Sequence, residues 1–250
     1  MGGLWVNGNN DGLVYDLKEK NSKLFTGYTE DNIKEVALGK KVRQEFERSI
    51  KAVSDSKLKS IADFDKKYQF HTKEVILVKT ERYGYYNLVQ KDGTNVILDI
   101  GLSEVFSHGS NTKEFKKRCL FYKAEVPKAF VGNWKKFDED DDAEGKATIS
   151  ENGVISTDSD DTDILIAKPL REYLVNKSGK VDNDKVQKEF DKIQKSLKSH
   201  GYQAKSVNDI YHDERSSYYF AVVDGGKRIV ILEDSYGDLY SGYIERQDKD

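Results

Sequence analysis

Residues 131–136 read VGNWKK, and residues 2–7 read GGLWVN. The chain has only two tryptophans, Trp5 and Trp134, and each stands two residues after a glycine, Gly3 or Gly132. A Gly-x-Trp unit that recurs about halfway along a 250-residue chain indicates that the second half begins as the first does. Because an internal repeat decides the domain count, a duplicated chain should show further matches between its two halves.

A second and longer repeat supports the duplication. Residues 81–89 read ERYGYYNLV, and residues 214–222 read ERSSYYFAV. Each stretch runs into a turn sequence, Lys91-Asp92-Gly93 or Asp224-Gly225-Gly226, and then into an aliphatic segment. Asp-Gly and Gly-Gly between two apolar runs are typical of a β-hairpin. We therefore expect a hairpin at the same place in each half.

The repeats predict two domains of equal size. Their offsets keep the same order along the chain, and the second Gly-x-Trp begins shortly after Pro127. We predict a first unit at 1–125 and a second at 126–250, a size typical of single domains. No flexible Gly/Ser-rich linker separates the two halves.

Hydrophobic periodicity predicts a mainly β fold with inserted helices. In the second half, Asn152-Gly153 indicates a hairpin turn, and residues 239–246 alternate as a last strand. Asp184 to Ser199 carries apolar residues at helical spacing. The first half follows the same plan, with a longer helix predicted over Asp31 to Val53. A meander of this size avoids exposed edges by curling into a barrel, so we expect two tandem antiparallel β-barrels.

Gly-x-Trp on a first strand, followed by a β-meander, resembles the lipocalin-like, or calycin-like, barrels. The resemblance implies that Trp5 and Trp134 each plug one end of a barrel, with Gly3 and Gly132 as parts of the same structural motif. It also implies that an arginine on or after the last strand lies across the indole. Arg246 is the candidate for Trp134, and Arg118 or Lys117 is the candidate for Trp5. A guanidinium over an indole contributes about 0.5–2 kcal/mol.

The stretch Val126–Trp134 also resembles the domain openings of lipocalin-like surface lipoproteins of Gram-positive bacteria. This resemblance implies a secreted, bacterial cell-surface protein, lipid-anchored through a leader that the sequence as given does not contain. Its partner would be a small apolar molecule or a host or surface protein. The longest aliphatic run, Ile229–Leu232, is too short to cross a bilayer.

Tyrosines on alternating strands are the candidate ligand-binding residues. Half of them would face a barrel interior, where a tyrosine offers apolar surface and a hydroxyl that orients a ligand. We select Tyr85, Tyr218 and Tyr243. The alternative is that these side chains fill a closed core or lie at the surface.

Composition and motifs argue against several other classes. A net charge of −3 gives no general attraction for nucleic acid. A single cysteine, Cys119, makes neither an intrachain disulfide nor a cysteine-rich metal site. Residues 140–151 partly match a calcium loop, but the Asn152-Gly153 that follows them favours a hairpin over an exiting helix. We therefore predict no metal, no cofactor and no catalytic residues, and a solvated acidic loop is the simpler interpretation.

Three functional hypotheses follow. The first is a non-enzymatic, extracellular binding protein that holds a small apolar ligand or a protein partner by its barrels. The second is a surface adhesion or inhibitor module whose barrels are filled by side chains. The third is an enzyme with a scattered carboxylate and histidine site, built without a recognisable catalytic motif.

Overall fold

The computed structural model describes residues 2–8, 11–16, 22–26, 29–53, 58–99, 112–138, 140, 142–158, 162–175, 179–213, 217–233 and 240–247. Structural statements below concern these residues. The chain divides into two compact units, Met1–Glu125 (unit 1) and Val126–Asp250 (unit 2). Glu214 and Arg215, which matched Glu81 and Arg82 in the sequence repeat, lie outside the described residues.

Unit 1 is built on one antiparallel sheet of nine strands. In sheet order the strands run β4-β3-β2-β1-β9-β8-β7-β6-β5, so the chain forms a meander whose last strand returns to its first. The strands are β1 (Gly3–Val6), β2 (Gly12–Asp16), β3 (Lys23–Thr26), β4 (Thr29–Asn32), β5 (Glu35–Leu38), β6 (Thr72–Lys79), β7 (Gly84–Gln90), β8 (Asn95–Asp99) and β9 (Leu120–Lys123).

Unit 2 repeats this topology strand for strand. Its order is β13-β12-β11-β10-β18-β17-β16-β15-β14, and β10 takes the place that β1 has in unit 1, beside the returning last strand. The strands are β10 (Gly132–Phe137), β11 (Ala143–Ile149), β12 (Val154–Thr157), β13 (Thr162–Ile164), β14 (Lys168–Pro169), β15 (Ile210–Asp213), β16 (Tyr218–Val223), β17 (Arg228–Glu233) and β18 (Tyr240–Arg246).

The helices lie mainly between the fifth and sixth strands of each unit. In unit 1 these are α1 (Lys40–Val53) and α2 (Ile61–Tyr68), and α3 (Thr112–Cys119) precedes β9. Unit 2 has α4 (Leu170–Tyr173) and α5 (Asn183–Ser199) at the corresponding place. The α5 helix begins at the cap Asp182, whose side chain accepts a hydrogen bond from the Lys185 amide.

The sheets are curled. Leu24 on β3 and Val78 on β6 belong to one apolar cluster with Trp5, although five strands separate β3 from β6 in sheet order. Only a sheet that curves back on itself brings such strands together. The same holds in unit 2, where Ile155 on β12 and Phe220 on β16 pack against the cluster of Trp134, although four strands separate them in sheet order. The prediction of a mainly β fold of two tandem barrel-like units with inserted helices is confirmed.

Each sheet has two apolar faces. We call the face that carries the tryptophan the inner face and the opposite face, on which the helices pack, the outer face. In unit 1, Phe46 of α1 and Phe64 of α2 pack on Tyr86 and its outer-face neighbours. In unit 2, Ile193 of α5 packs with Tyr219 in the same way. Since strand residues alternate between faces, Tyr85 lies on the inner face beside the outer-facing Tyr86.

The helix predicted over Asp31 to Val53 is shorter in the structure. Its first part forms β4 and β5 at the two edges of the sheet, and α1 begins only at Lys40. Gly39, with φ of +98°, separates β5 from α1. Ile33 and Val36 follow helical spacing in the sequence, but short edge strands with mixed residues give little periodicity of their own.

Candidate functional site

In unit 2, the side chains of Trp134 and Arg246 lie together at paired positions of β10 and β18. The indole is fully buried and donates its Nε1–H to the Phe130 carbonyl at 2.7 Å. The Arg246 guanidinium carbon lies 4.3 Å from the ring centroid. The guanidinium also donates to three carbonyls, those of Ala129 (2.8 Å), Val131 (2.9 Å) and Gly226 (3.2 Å). One cation thus joins the start of the unit to the β16–β17 turn.

Gly132 explains why a glycine stands two residues before this tryptophan. Its φ is +143°, and a Cβ there would lie 2.6 Å from Nη1 of Arg246. A side chain at this position would displace the guanidinium, so the glycine makes room for it. In unit 2, the glycine of Gly-x-Trp therefore leaves room for the arginine that covers the indole.

Unit 1 keeps the tryptophan but places a different cation opposite it. Trp5 is 1% exposed and pairs with Lys123 in the β1–β9 register, as Trp134 pairs with Arg246. Arg118, which the resemblance favoured, lies in α3 and pairs with Glu114. Lys117 lies beside it and accepts the Gly8 amide through its carbonyl. The sequence did not predict the α3 helix that carries both candidates, and a role for either beside Trp5 stays a prediction.

The inner face of unit 1 carries a set of polar residues within an apolar cluster. Tyr15 and Tyr85 meet edge to face, with ring centroids 6.4 Å apart. Asp99 lies opposite Tyr85 in the β7–β8 register, and Asn87 follows Tyr85 on the same face. Asp31 lies opposite Leu24 of the inner cluster. We call Tyr15, Asp31, Tyr85, Asn87 and Asp99 the inner polar group.

Asn87 is the most unusual member of this group. It is 1% exposed and stands between Ile97 and Ile76 in adjacent strands. Within the described part of the chain, neither its Oδ1 nor its Nδ2 has a hydrogen-bond partner. An unpaired buried amide costs about 1–3 kcal/mol unless water or a ligand supplies its hydrogen bonds, so this residue requires an explanation.

Two further inner atoms share this property. The Tyr15 hydroxyl and Asp31 Oδ2 are buried and have no partner among the residues that the structure describes. The other carboxylate oxygen of Asp31 accepts from Arg82 Nε at 2.9 Å and lies 2.8 Å from its Nη2. Orphaned acceptors and donors therefore face one interior from β2, β4 and β7.

The phenols of this interior stay protonated over the usual pH range. Burial, and after it the Asp99 carboxylate, raises the pKa of Tyr15. The same two causes, in the same order, raise the pKa of Tyr85, with smaller contributions from Tyr15, Tyr83 and Asp31. Both hydroxyls are thus neutral groups that can donate and accept.

Sheet register allows the two interiors to be compared residue by residue, starting from Trp5 and Trp134. Gly3 lies opposite Tyr15, and Gly132 lies opposite Ile149. On the other side of each tryptophan strand, we follow the residue pairs from strand to strand. In unit 1 they run through β9, β8 and β7, and in unit 2 through β18, β17 and β16. Three inner polar positions of unit 1 are aliphatic in unit 2: Tyr15 corresponds to Ile149, Asn87 to Val222 and Asp99 to Ile231.

The tyrosines predicted as ligand-binding residues lie in different surroundings. Tyr85 is on the inner face of unit 1. Tyr218 is half-buried at the start of β16, on the face that also carries Phe220. Tyr243 is in the outer cluster of unit 2, stacked on Phe137 with ring centroids 4.6 Å apart. The structure therefore brings none of the three together, and their role in binding stays a prediction.

The sheet register aligns the two halves differently from the sequence repeat. Matching ERYGYYNLV with ERSSYYFAV aligns Tyr85 with Tyr218, whereas the register from the tryptophans aligns Tyr85 with Phe220. The shift is two residues, which keeps each side chain on the same face. Sequence reasoning also missed Tyr15, Asn87 and Asp99. A single amide within the apolar strand Tyr-Tyr-Asn-Leu-Val was the available signal for Asn87.

The described residues contain no cluster of three or more His, Cys, Asp or Glu side chains arranged for a metal ion. In the stretch that partly matched a calcium loop, Glu144 and Gly145 lie in strand β11, and Glu144 pairs with Lys136. Asp138 accepts the amides of Asp140 and Asp142 at 3.0 and 2.8 Å, which closes a turn. Cys119 is buried, and burial raises its thiol pKa to about 12.

Among the described helices, none has the length and apolar character needed to span a membrane. Comparisons with protein-family profiles, with curated proteins and with solved structures found no significant match. The two curled nine-stranded sheets fit a tandem, lipocalin-like barrel architecture at a coarse level.

Proposed function

We propose that this is a non-enzymatic binding protein that holds a small, mainly apolar molecule against the inner face of unit 1. The observation that carries the proposal is the buried and unpartnered amide of Asn87, seen within the described residues. Such a group is costly in an apolar core unless a bound molecule supplies its hydrogen bonds. The Tyr15 hydroxyl, unpaired in the same described set, adds a second site for a polar atom.

The inner face has the composition of a small-molecule site. Apolar side chains such as Trp5, Leu13 and Ile97 supply most of its surface, and a few polar groups converge on it. Ligand sites in proteins are typically of this kind, because the apolar lining gives affinity and the polar groups give orientation.

The proposed location is the bacterial cell surface. It rests on the resemblance of Val126–Trp134 to the domain openings of lipocalin-like surface lipoproteins, and it includes a lipid anchor on a leader upstream of Met1. The gene sequence upstream of this segment tests it. A leader that ends in a cysteine suited to lipidation is the expected result, and its absence from the full gene would contradict the anchor.

Native mass spectrometry of freshly purified protein tests the binding function. We expect a non-covalent adduct of small mass that organic extraction removes and that identification shows to be mainly apolar. A crystal structure that shows ordered water alone on Asn87, together with no binding of apolar probes to unit 1, would contradict the proposal.

A further inference from the structure

Asn87 presents a specific hydrogen-bonding pattern to the inner face of unit 1. Its carboxamide offers one acceptor, Oδ1, directly beside one donor group, Nδ2. Both lack partners within the described residues, and the residue is 1% exposed. A matching ligand must therefore offer a donor directly beside an acceptor. Another carboxamide, open-chain or cyclic, has this arrangement.

The negative charges near Asn87 disfavour an anionic ligand, and its Nδ2 donor disfavours a cationic one. The carboxylates of Asp31 and Asp99 belong to the same inner polar group, so an anionic ligand would meet like charges in an apolar interior. Arg82 already pairs with Asp31 at 2.8 Å. An ammonium ligand would satisfy Oδ1 but would leave the Nδ2 donor facing a positive charge. A neutral ligand avoids both costs.

The register of the sheet gives the direction in which an apolar tail would run. Asn87 lies opposite Ile76, and Ile76 lies opposite Leu38 on the edge strand β5. Ile76 is half-buried, and Leu38 is 63% exposed. Val36, two residues before Leu38 on the same face, is also exposed. Asn87, Ile76 and Leu38 thus form a row across three strands that runs from a buried amide to an exposed apolar edge.

We propose that unit 1 binds a neutral carboxamide with an apolar tail, its amide paired with Asn87 and its tail directed along Ile76 towards Leu38. The Tyr15 hydroxyl supplies a further hydrogen bond at the polar end. Unit 2 does not share this specificity, because its residue at the position that corresponds to Asn87 is Val222. This proposal rests on the function proposed above and adds the chemical class of the ligand.

Three probes of equal chain length separate the ligand classes: octanamide, octanoate at about pH 8, where a carboxylic acid is ionised, and octylammonium. Binding to the full chain is measured by calorimetry after any co-purified molecule has been removed. We expect octanamide to bind at least roughly tenfold more tightly than either charged probe, because a site with unpaired polar groups discriminates strongly.

The variants Asn87→Leu and Val222→Leu form a matched pair. Leucine has nearly the shape of asparagine without its hydrogen bonds, so Asn87→Leu is expected to abolish the preference for octanamide. Val222→Leu, at the corresponding position of unit 2, is expected to leave the preference unchanged. Thermal melting confirms that both variants fold.

The outcomes distinguish this inference from the function on which it rests. Octanoate or octylammonium binding as tightly as octanamide, or an unchanged preference in Asn87→Leu, would overturn the carboxamide assignment while the binding function stands. No binding of any probe, with ordered water alone on Asn87, would overturn both. Protection of Leu38 side-chain signals in NMR by octanamide is expected, and perturbation confined to unit 2 would also contradict the proposal.

Discussion

Unit 1 and unit 2 have the same strand order and the same buried tryptophan, but their interiors differ in chemistry. The register aligns Tyr15, Asn87 and Asp99 of unit 1 with three aliphatic residues of unit 2. The cations opposite the indoles differ as well. Arg246 donates to three carbonyls, whereas Lys123 is exposed.

The difference shows which features a repeated fold requires and which it can vary. The tryptophan and its glycine are present in both units, and each indole is buried in the inner cluster of its curled sheet. Tyr15, Asn87 and Asp99 correspond to aliphatic residues in unit 2, so the sheet does not need polar side chains at these three positions to form. A feature that costs stability and is dispensable for the fold is the best candidate for a function.

Alkaline pH is expected to unfold unit 1 before unit 2. Burial is the largest cause that raises the pKa of Tyr68, to about 12, and of Cys119, also to about 12. It raises the pKa of Tyr15 and Tyr85 as well. The unfolded groups titrate near 10.0 for tyrosine and 9.0 for cysteine. Above these values the unfolded chain loses protons that the folded unit retains, so stability that is complete below pH 9.0 is lost as pH rises.

Each unit has one tryptophan, so fluorescence can follow the units separately. Trp5 in the Trp134→Phe variant reports on unit 1, and Trp134 in the Trp5→Phe variant reports on unit 2. In a titration towards high pH, the Trp5 signal should change first. A Trp134 signal that changes at lower pH than the Trp5 signal would contradict the prediction that unit 1 unfolds first.

The two units should differ in how much stability they lose when the cation paired with the tryptophan is removed. Arg246→Met removes three hydrogen bonds from a charged donor, and we expect the free energy of unfolding of unit 2 to fall by about 3 kcal/mol. Lys123→Met changes an exposed side chain, so unit 1 should lose at most about 0.5 kcal/mol. Urea unfolding followed by the tryptophan of each unit measures both. Equal losses would show that Lys123 covers Trp5 as Arg246 covers Trp134.

The two glycines give a smaller contrast of the same kind. Gly3 and Gly132 both have positive φ, at 109° and 143°. Alanine is therefore strained at either position, at a cost of about 1 kcal/mol or more. Only at Gly132 would the new Cβ also lie 2.6 Å from the Arg246 guanidinium. Gly132→Ala should therefore destabilise its unit by roughly a further 1 kcal/mol compared with Gly3→Ala. In the Arg246→Met background that excess should disappear.

The sequence predicts the fold well because its signals are local. Gly-x-Trp, the Asn152-Gly153 turn and the helix at Asp184 to Ser199 each depend on a few neighbouring residues, and the structure has all of them. The strands β4 and β5 were missed because each has only four residues and a mixed composition. Their place in the sheet is set by pairing with distant strands.

The inner polar group could not be predicted in the same way. Tyr15, Asn87 and Asp99 come from three strands, and only the register of the sheet brings them to one face. Tyr85 was selected for its residue type, which also selected Tyr243 on the opposite face of its sheet. Alternation alone does not say which face is the inner one, because both faces of these sheets are apolar.

The most direct test of the account is the stability of ligand-free Asn87→Leu. Because this amide has no hydrogen-bond partner among the described residues, removing it should raise the free energy of unfolding of unit 1 by about 1 kcal/mol. Urea unfolding of refolded, extracted protein, followed by Trp5 fluorescence in the Trp134→Phe background, measures it. A fall of about 1 kcal/mol or more would show that Asn87 is a satisfied structural residue and would contradict the account.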